Sequence, residues 1–271
     1  MQIPIQIGVK GEAVLGMLHV PEKRAPGSPV ILLCCGLDGK RAEVHRMATL
    51  MARRGEKLGV TMLRFDYRGL GVSQGEFWRT SISKKIEDTL AVIDFLKGCF
   101  QGDQFTLIPL GFSDGARIAA GLFKKREGIS GLAFWSPIFY SVAANFAGYQ
   151  PGARISRHPA THELVYPFNG LWLGIDYLKE QTAMGNALQD FYGFEGPRLV
   201  VFGGADPETG ETHRELEALT EDKKKGLTVI TVPGANHTFN HGDWSLQVIN
   251  QTLEWSLAVG KEVLCNGVIA D

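Results

Sequence analysis

A doubly wound, mostly parallel α/β sheet interrupted by one long insertion is the fold that this 271-residue sequence predicts. Three observations lead there. Short apolar runs alternate with helical periodicity from residue 30 to residue 135, the rhythm of successive βα units. That rhythm stops over 138–195, where aromatic residues are about twice as frequent as in the chain as a whole. It resumes at Arg198 and continues to about residue 258. The expected organisation is a core domain built from 1–137 and 196–271, with a cap inserted over 138–195.

Taken in order, residues 2–8 and 12–20 alternate loosely about Lys10-Gly11-Glu12, the pattern of an opening hairpin. Glu22 to Pro29 is rich in turn formers and reads as a surface loop. Val30-Ile-Leu-Leu-Cys-Cys35 is continuously apolar, as a strand buried on both faces must be. A tight loop, Gly36-Leu-Asp-Gly39, and a helix over 42–54 follow. Val60 to Asp66 is the next strand, 67–75 a glycine-rich loop, and 82–97 an amphipathic helix with Ile82, Ile86, Leu90, Ile93 and Leu96 on one stripe. Phe105 to Leu110 and Leu132 to Trp135 are two further strands, the first running into an Ala-rich helix. Within the insertion the sequence predicts helical pieces over roughly 171–189 and no strong strand. Beyond it come a strand at 198–202, a helix near 211–220, a strand at 227–232, a helix from about 243 to 258 and a peripheral tail over 260–271.

Composition excludes several classes. With 44% hydrophobic residues and a net charge of −1, the chain carries no electrostatic footprint for nucleic acid or an anionic membrane. Four cysteines, two of them adjacent at Cys34 and Cys35, form neither a disulfide framework nor a C-x-x-C metal pair. No signal peptide and no run of transmembrane length are read. The expectation is a cytoplasmic, enzyme-sized protein that acts on a small molecule and needs no metal or cofactor.

The chemistry centres on Gly111-Phe-Ser-Asp-Gly115. A strand enters this segment, a helix leaves it and a serine stands at the turn, the setting of a nucleophile elbow. Small neighbours two positions either side tolerate the sharp backbone that lifts the Ser113 hydroxyl clear. A serine needs a base to take its proton and a carboxylate to orient that base. In open α/β sheets such groups gather at the carboxyl ends of strands. The segment after the 198–202 strand offers Asp206, and the segment after the 227–232 strand offers His237. Ser113, Asp206 and His237 are then in the chain order that this elbow requires. Glu208 and His241 are rival acid and base, ranked lower because each lies further from its strand end. The oxyanion hole is assigned to the backbone N–H of Asp114, at a helix N-terminus, and to that of Leu37, after the first parallel strand. The Asp114 side chain is expected to serve the helix N-terminus in preference to contacting substrate.

On these residues, together with Arg64-Phe-Asp-Tyr-Arg-Gly-Leu-Gly-Val-Ser-Gln-Gly75, Gly204-Ala-Asp206 and Gly234-Ala-Asn-His237, the chain resembles the α/β-hydrolase superfamily over about 29–258. Within it the chain is most similar to small bacterial serine esterases, the cinnamoyl (feruloyl) esterases among them. The resemblance implies Ser113 as nucleophile, His237 as base and then acid, Asp206 as its orienter, and Leu37 and Asp114 as oxyanion donors. It also implies that Asp66 and Arg68 fix a loop. Two positions depart from the family pattern: Cys35 stands where His is usual, and Asp114 where a neutral residue is usual.

The expected function is hydrolysis of carboxylic esters or thioesters through an acyl-enzyme. The alternatives are acyl transfer or cyclisation on the same fold, or ligand binding without catalysis. Because the insertion leaves the sheet directly after Trp135, its aromatics are expected to wall the acyl pocket, with Trp135, Trp172 and Tyr177 as substrate-binding candidates.

Overall fold

The computed structural model describes residues 1–140 and 154–266. An antiparallel hairpin of β1 (Gln2–Val9) and β2 (Glu12–His19) opens the chain, turning through Lys10 and Gly11, both at positive φ. The parallel units follow as β3 (Ser28–Cys34), α1 (Met47–Leu58), β4 (Thr61–Phe65), α2 (Ile82–Cys99), β5 (Phe105–Phe112), α3 (Gly115–Gly121) and β6 (Leu132–Trp135). The intervening segment holds β7 (Ser156–Arg157), β8 (Leu164–Phe168), β9 (Leu171–Gly174), α4 (Ile175–Met184) and α5 (Leu188–Gly193). The sheet is completed by β10 (Arg198–Gly203), α6 (Gly210–Glu217), α7 (Glu221–Lys224), β11 (Leu227–Val232) and α8 (Gly242–Asn266).

Eight strands pair in the order β1-β2-β4-β3-β5-β6-β10-β11. The two joints made by β2 are antiparallel and every later joint is parallel. Strands β3, β4, β5, β6 and β10 are buried at every position, which is why they read as largely apolar runs. At the edge, β11 alternates between exposed and half-buried positions before ending at buried Val232. The order of α2 is set by its N-cap, where Ser81 Oγ accepts the Lys84 N–H at 3.2 Å. Among the described residues no helix is long and apolar enough to cross a membrane.

Three expectations are corrected. The first helix begins at Met47, not at residue 42, because Glu43, His45 and Arg46 all have positive φ and cannot start an α-helix. The last helix runs on to Asn266, with Gly260 and Val263 buried, so the first residues of the expected tail continue that helix. The insertion contains strands: β8 and β9 form a hairpin across Asn169-Gly170, at φ of 47° and 76°. Residues 171–174 are therefore extended, and helix begins only at Ile175. Asn-Gly between two apolar runs is the turn dipeptide of a two-residue hairpin, since both central positions need positive φ. Two of the insertion's aromatics, Phe146 and Tyr149, lie outside the described residues.

Candidate active site

The elbow is built as its glycines require. Ser113 sits at φ 52°, a region that side-chain-bearing residues avoid and that marks stored backbone strain. A Cβ on Gly111 would lie 2.6 Å from Ala116 Cα, and one on Gly115 would collide with the Cys34 carbonyl oxygen. Neighbouring backbone holds the turn: Ser113 N–H donates to Trp135 O at 3.0 Å, and Ser113 O accepts from Ile138 N–H at 3.0 Å.

The structure brings the three triad candidates together. His237 Nε2 lies 2.8 Å from Ser113 Oγ, and His237 Nδ1 lies 2.8 Å from Asp206 Oδ2. Asp206 is anchored in turn, accepting the Glu208 N–H at 2.9 Å and the Thr209 hydroxyl at 2.6 Å. The imidazole also stacks on Phe112, with ring centroids 5.9 Å apart. Burial alone would raise the Asp206 pKa, but His237, Thr209 and the Glu208 N–H outweigh it and hold it below the usual carboxylate value. Burial likewise disfavours the imidazolium, yet Asp206 and, further out, Glu208 outweigh it, so the His237 pKa is raised. The rivals fall away on position. Glu208 Oε2 lies 3.9 Å from Nε2, on the serine side of the ring, where it cannot orient Nδ1. His241 is mostly exposed and faces Asp243 and Trp244.

Asp206, Glu208 and His237 also bring donor atoms within 4.8 Å of one another, a spacing that could hold a cation. A cation there would have to displace the hydrogen bonds that already occupy Asp206 and both ring nitrogens of His237. In the present arrangement the cluster is a hydrogen-bonded chain from Ser113 through His237 to Asp206.

Ser113 and His237 open into a cavity of about 490 Å³, a size suited to a small organic ligand. Val44, Phe112, Ile138 and Phe168 supply its apolar wall. Asp38, Lys40, Glu43 and Glu208 supply its charged groups. The half-buried Glu43 carboxyl is pushed up to about 7 by desolvation, although it accepts the Gly36 N–H at 3.0 Å. The hairpin tip is tied to this rim, Asn169 donating its amide to Asp38 Oδ2 at 3.2 Å. Leu37 and Asp114 both line the cavity, and among the described residues neither backbone N–H donates to another group.

The three aromatic candidates do not line this cavity. Trp135 is wholly buried beneath the elbow, its indole N–H donating to Thr252 Oγ1 of α8 at 2.9 Å. Being the last residue of β6, it serves the elbow through its backbone carbonyl. Trp172 is half-buried on β9, edge-on to His158 at 6.2 Å. Tyr177 is fully buried in α4, and its hydroxyl donates to Asp114 Oδ2. Phe168, on the neighbouring hairpin strand, lines the cavity instead. Against expectation, the Asp114 side chain makes no capping hydrogen bond to its helix; it is turned into the protein, where Gln181 Nε2 at 3.3 Å and Arg117 Nε at 3.3 Å complete its surroundings. Cys35 is buried with its thiol on the Phe65 carbonyl at 3.7 Å, and burial raises its pKa well above the usual value. Asp66 accepts the N–H groups of Arg41 and Val72 at 2.7 and 3.0 Å, while Arg68 pairs with Asp88 at 2.6 Å, so both fix the loop after β4.

Residues 28–160 match the sequence model of a family described as serine aminopeptidase, S33. An uncharacterized protein of Mycobacterium tuberculosis is 28% identical over 225 residues, which cover 82% of this chain and 68% of that protein. Est1E from Butyrivibrio proteoclasticus, solved with ferulic acid bound, has a TM-score of 0.69 at 20% identity, covering 96% of this chain and 98% of that one. The esterase domain of a Rhodothermus marinus protein has a TM-score of 0.69 at 17% identity, covering 95% and 98%. At these identities the solved structures establish the fold. The sheet order, the strand–serine–helix elbow and these likenesses give the chain the α/β-hydrolase fold.

Proposed function

We propose that the protein is a serine hydrolase of carboxylic esters or thioesters that works through an acyl-enzyme. The observation that carries this reading is the unbroken relay from Ser113 Oγ through His237 to Asp206, with both links at 2.8 Å at the mouth of a cavity. His237 takes the Ser113 proton as the hydroxyl attacks the acyl carbon. The backbone N–H groups of Leu37 and Asp114 receive the oxyanion. His237 then returns the proton to the leaving group, and water repeats the sequence to free the acid and Ser113. Residues 138–195 serve as a cap, with Ile138 and Phe168 facing the acyl group from the cavity wall. Four unpaired cysteines suit a reducing compartment such as the cytoplasm.

A second reading, removal of an N-terminal residue from a peptide, draws on the description of the matched family and on the carboxylates of Asp38, Glu43 and Glu208 in the cavity, which could receive a free amine. Intact-protein mass after incubation with acyl esters, thioesters and aminoacyl amides separates the two readings. A serine-directed fluorophosphonate should label the wild type, and Ser113→Ala should lose that label while remaining folded. Labelling that survives the substitution refutes the assignment of the nucleophile.

A further inference from the structure

One buried cation is not accounted for by the relay. Lys85 lies on the buried stripe of α2 with no solvent exposure, one helical turn after Ile82. Its ammonium donates to Gly36 O at 3.1 Å and to Leu37 O at 2.9 Å. It also stands 4.9 Å from the centre of the Tyr67 ring and 5.7 Å from that of Tyr177. Burial lowers the Lys85 pKa and the Asp114 carboxylate opposes that shift. A buried lysine is costly, so one whose hydrogen bonds go to two successive carbonyls of the loop after β3 calls for an explanation.

Peptide geometry supplies it. In a planar trans peptide the C=O and the N–H point in opposite directions. The carbonyl of Gly36 shares its peptide plane with the N–H of Leu37, and the carbonyl of Leu37 shares its plane with the N–H of Asp38. Drawing both carbonyls toward a wholly buried ammonium therefore turns both N–H groups the other way. Leu37 and Asp38 line the cavity, so that other way is the side on which an oxyanion would form. Gly36 has no side chain to resist a flip of this peptide. A bond from Gly39 N–H to Gly36 O, at 3.3 Å, closes the loop as a turn. Lys85 adds the fixed charge on the core side, and Glu43 holds the Gly36 N–H from the cavity side at 3.0 Å.

We propose that Lys85 is the positioning residue of the oxyanion hole, holding the Gly36–Leu37 and Leu37–Asp38 peptides so that their N–H groups face the Ser113 hydroxyl. The proposal rests on the serine-hydrolase reading and adds to it a residue that touches no substrate. Its signature is a loss confined to the transition state, because a displaced N–H stabilises the oxyanion less while leaving ground-state binding intact.

The test compares wild type, Lys85→Met and the milder Lys85→Gln, each confirmed as folded by circular dichroism, with p-nitrophenyl butyrate as substrate and phenylboronic acid as transition-state analogue. Loss of one oxyanion donor typically costs about 10²–10³ in rate. Lys85→Met should therefore lower kcat by about 10²-fold, leave KM within about threefold and weaken boronate inhibition in parallel with kcat. Lys85→Gln, which keeps a neutral N–H donor on a shorter stem, should show the same split at smaller size, and it carries the test where the Met variant does not fold. A rise in KM at constant kcat, or boronate inhibition unmoved by either change, overturns the role of Lys85. A wild type that neither turns over esters nor reacts with fluorophosphonate refutes the hydrolase reading instead.

Discussion

Asp206→Asn is the sharpest probe of the relay, because the structure fixes which way the new amide must face. Asp206 Oδ1 accepts the Glu208 N–H at 2.9 Å, a bond that an amide oxygen can keep and an NH₂ group cannot. The NH₂ of the asparagine is therefore directed to the Oδ2 position, 2.8 Å from His237 Nδ1. There it donates, which makes Nδ1 an acceptor and moves the imidazole proton to Nε2. Nε2 lies 2.8 Å from Ser113 Oγ and would then present a proton where a base is needed. The geometry survives while the tautomer is wrong, and the expected loss in kcat is about 10³–10⁴. That corresponds to about 4–5.5 kcal/mol of transition-state stabilisation. Steady-state hydrolysis of p-nitrophenyl butyrate measures it, with KM held within a few-fold. Glu208→Gln in the same assay should cost little. A loss below tenfold for Asp206→Asn, or a dead Glu208 variant, refutes the orienting role of Asp206.

Two further predictions follow from the same site. His237 must be neutral to accept the Ser113 proton, and its pKa is raised, so activity should fall as pH drops through a midpoint above the ordinary histidine value of about 6.5. Glu208 contributes to that rise from 3.9 Å, so Glu208→Gln should move the acid limb of kcat/KM downward; a flat profile to pH 5 contradicts the base. Phe168 lines the cavity, and each methylene buried against such a wall adds about 0.8 kcal/mol, so kcat/KM should rise at least tenfold from acetyl to a medium-chain or aryl acyl ester. Phe168→Ala should cut that rise at least threefold while leaving the acetyl rate nearly unchanged, and a chain-length series unmoved by it would show that the hairpin does not read the acyl group.

The parallel core was legible because its strands are buried on both faces and its helices carry one apolar stripe, two patterns that need only local sequence. Ser113, Asp206 and His237 were legible as candidates because each lies within five residues of the end of a strand, β5, β10 or β11, and the fold brings those ends together. What failed depended on backbone sign and on side-chain direction. Glu43, His45 and Arg46 adopt positive φ without being glycine, so nothing in their identity announced that α1 would start late and leave Glu43 on the cavity wall. The β8–β9 hairpin did carry a signal, Asn169-Gly170, which the density of aromatics around it obscured. Trp172 and Phe168 illustrate the limit within that hairpin. They stand one pair apart across the turn, Phe168 with Leu171 and Pro167 with Trp172, and period-two alternation sends neighbouring positions to opposite faces. Aromatic content alone could not say which of them meets the cavity. Lys85 left a fainter trace, a charged residue on the apolar stripe of α2 between Ile82 and Ile86.

Asp114, the acidic residue next to Ser113, makes sense only with those missed elements in place. A carboxylate facing a nascent oxyanion would oppose it: at about 6 Å and an effective dielectric of about 20, two like charges repel by about 3 kcal/mol. The structure removes that conflict by dividing the residue. The backbone N–H of Asp114 stays at the elbow, at the start of α3, while its carboxylate turns inward to Tyr177, Gln181 and Arg117. Two of those partners stand on α4, in the insertion, and the third lies one turn along α3. Lys85, which grips the opposite side of the oxyanion loop, has Asp114 as the chief charge favouring its ammonium form. The charged side chain next to the serine is therefore not presented to substrate. It links the elbow helix, the inserted helix and the lysine beneath the loop into one buried network, so both backbone donors assigned to the oxyanion rest on a common set of buried charges.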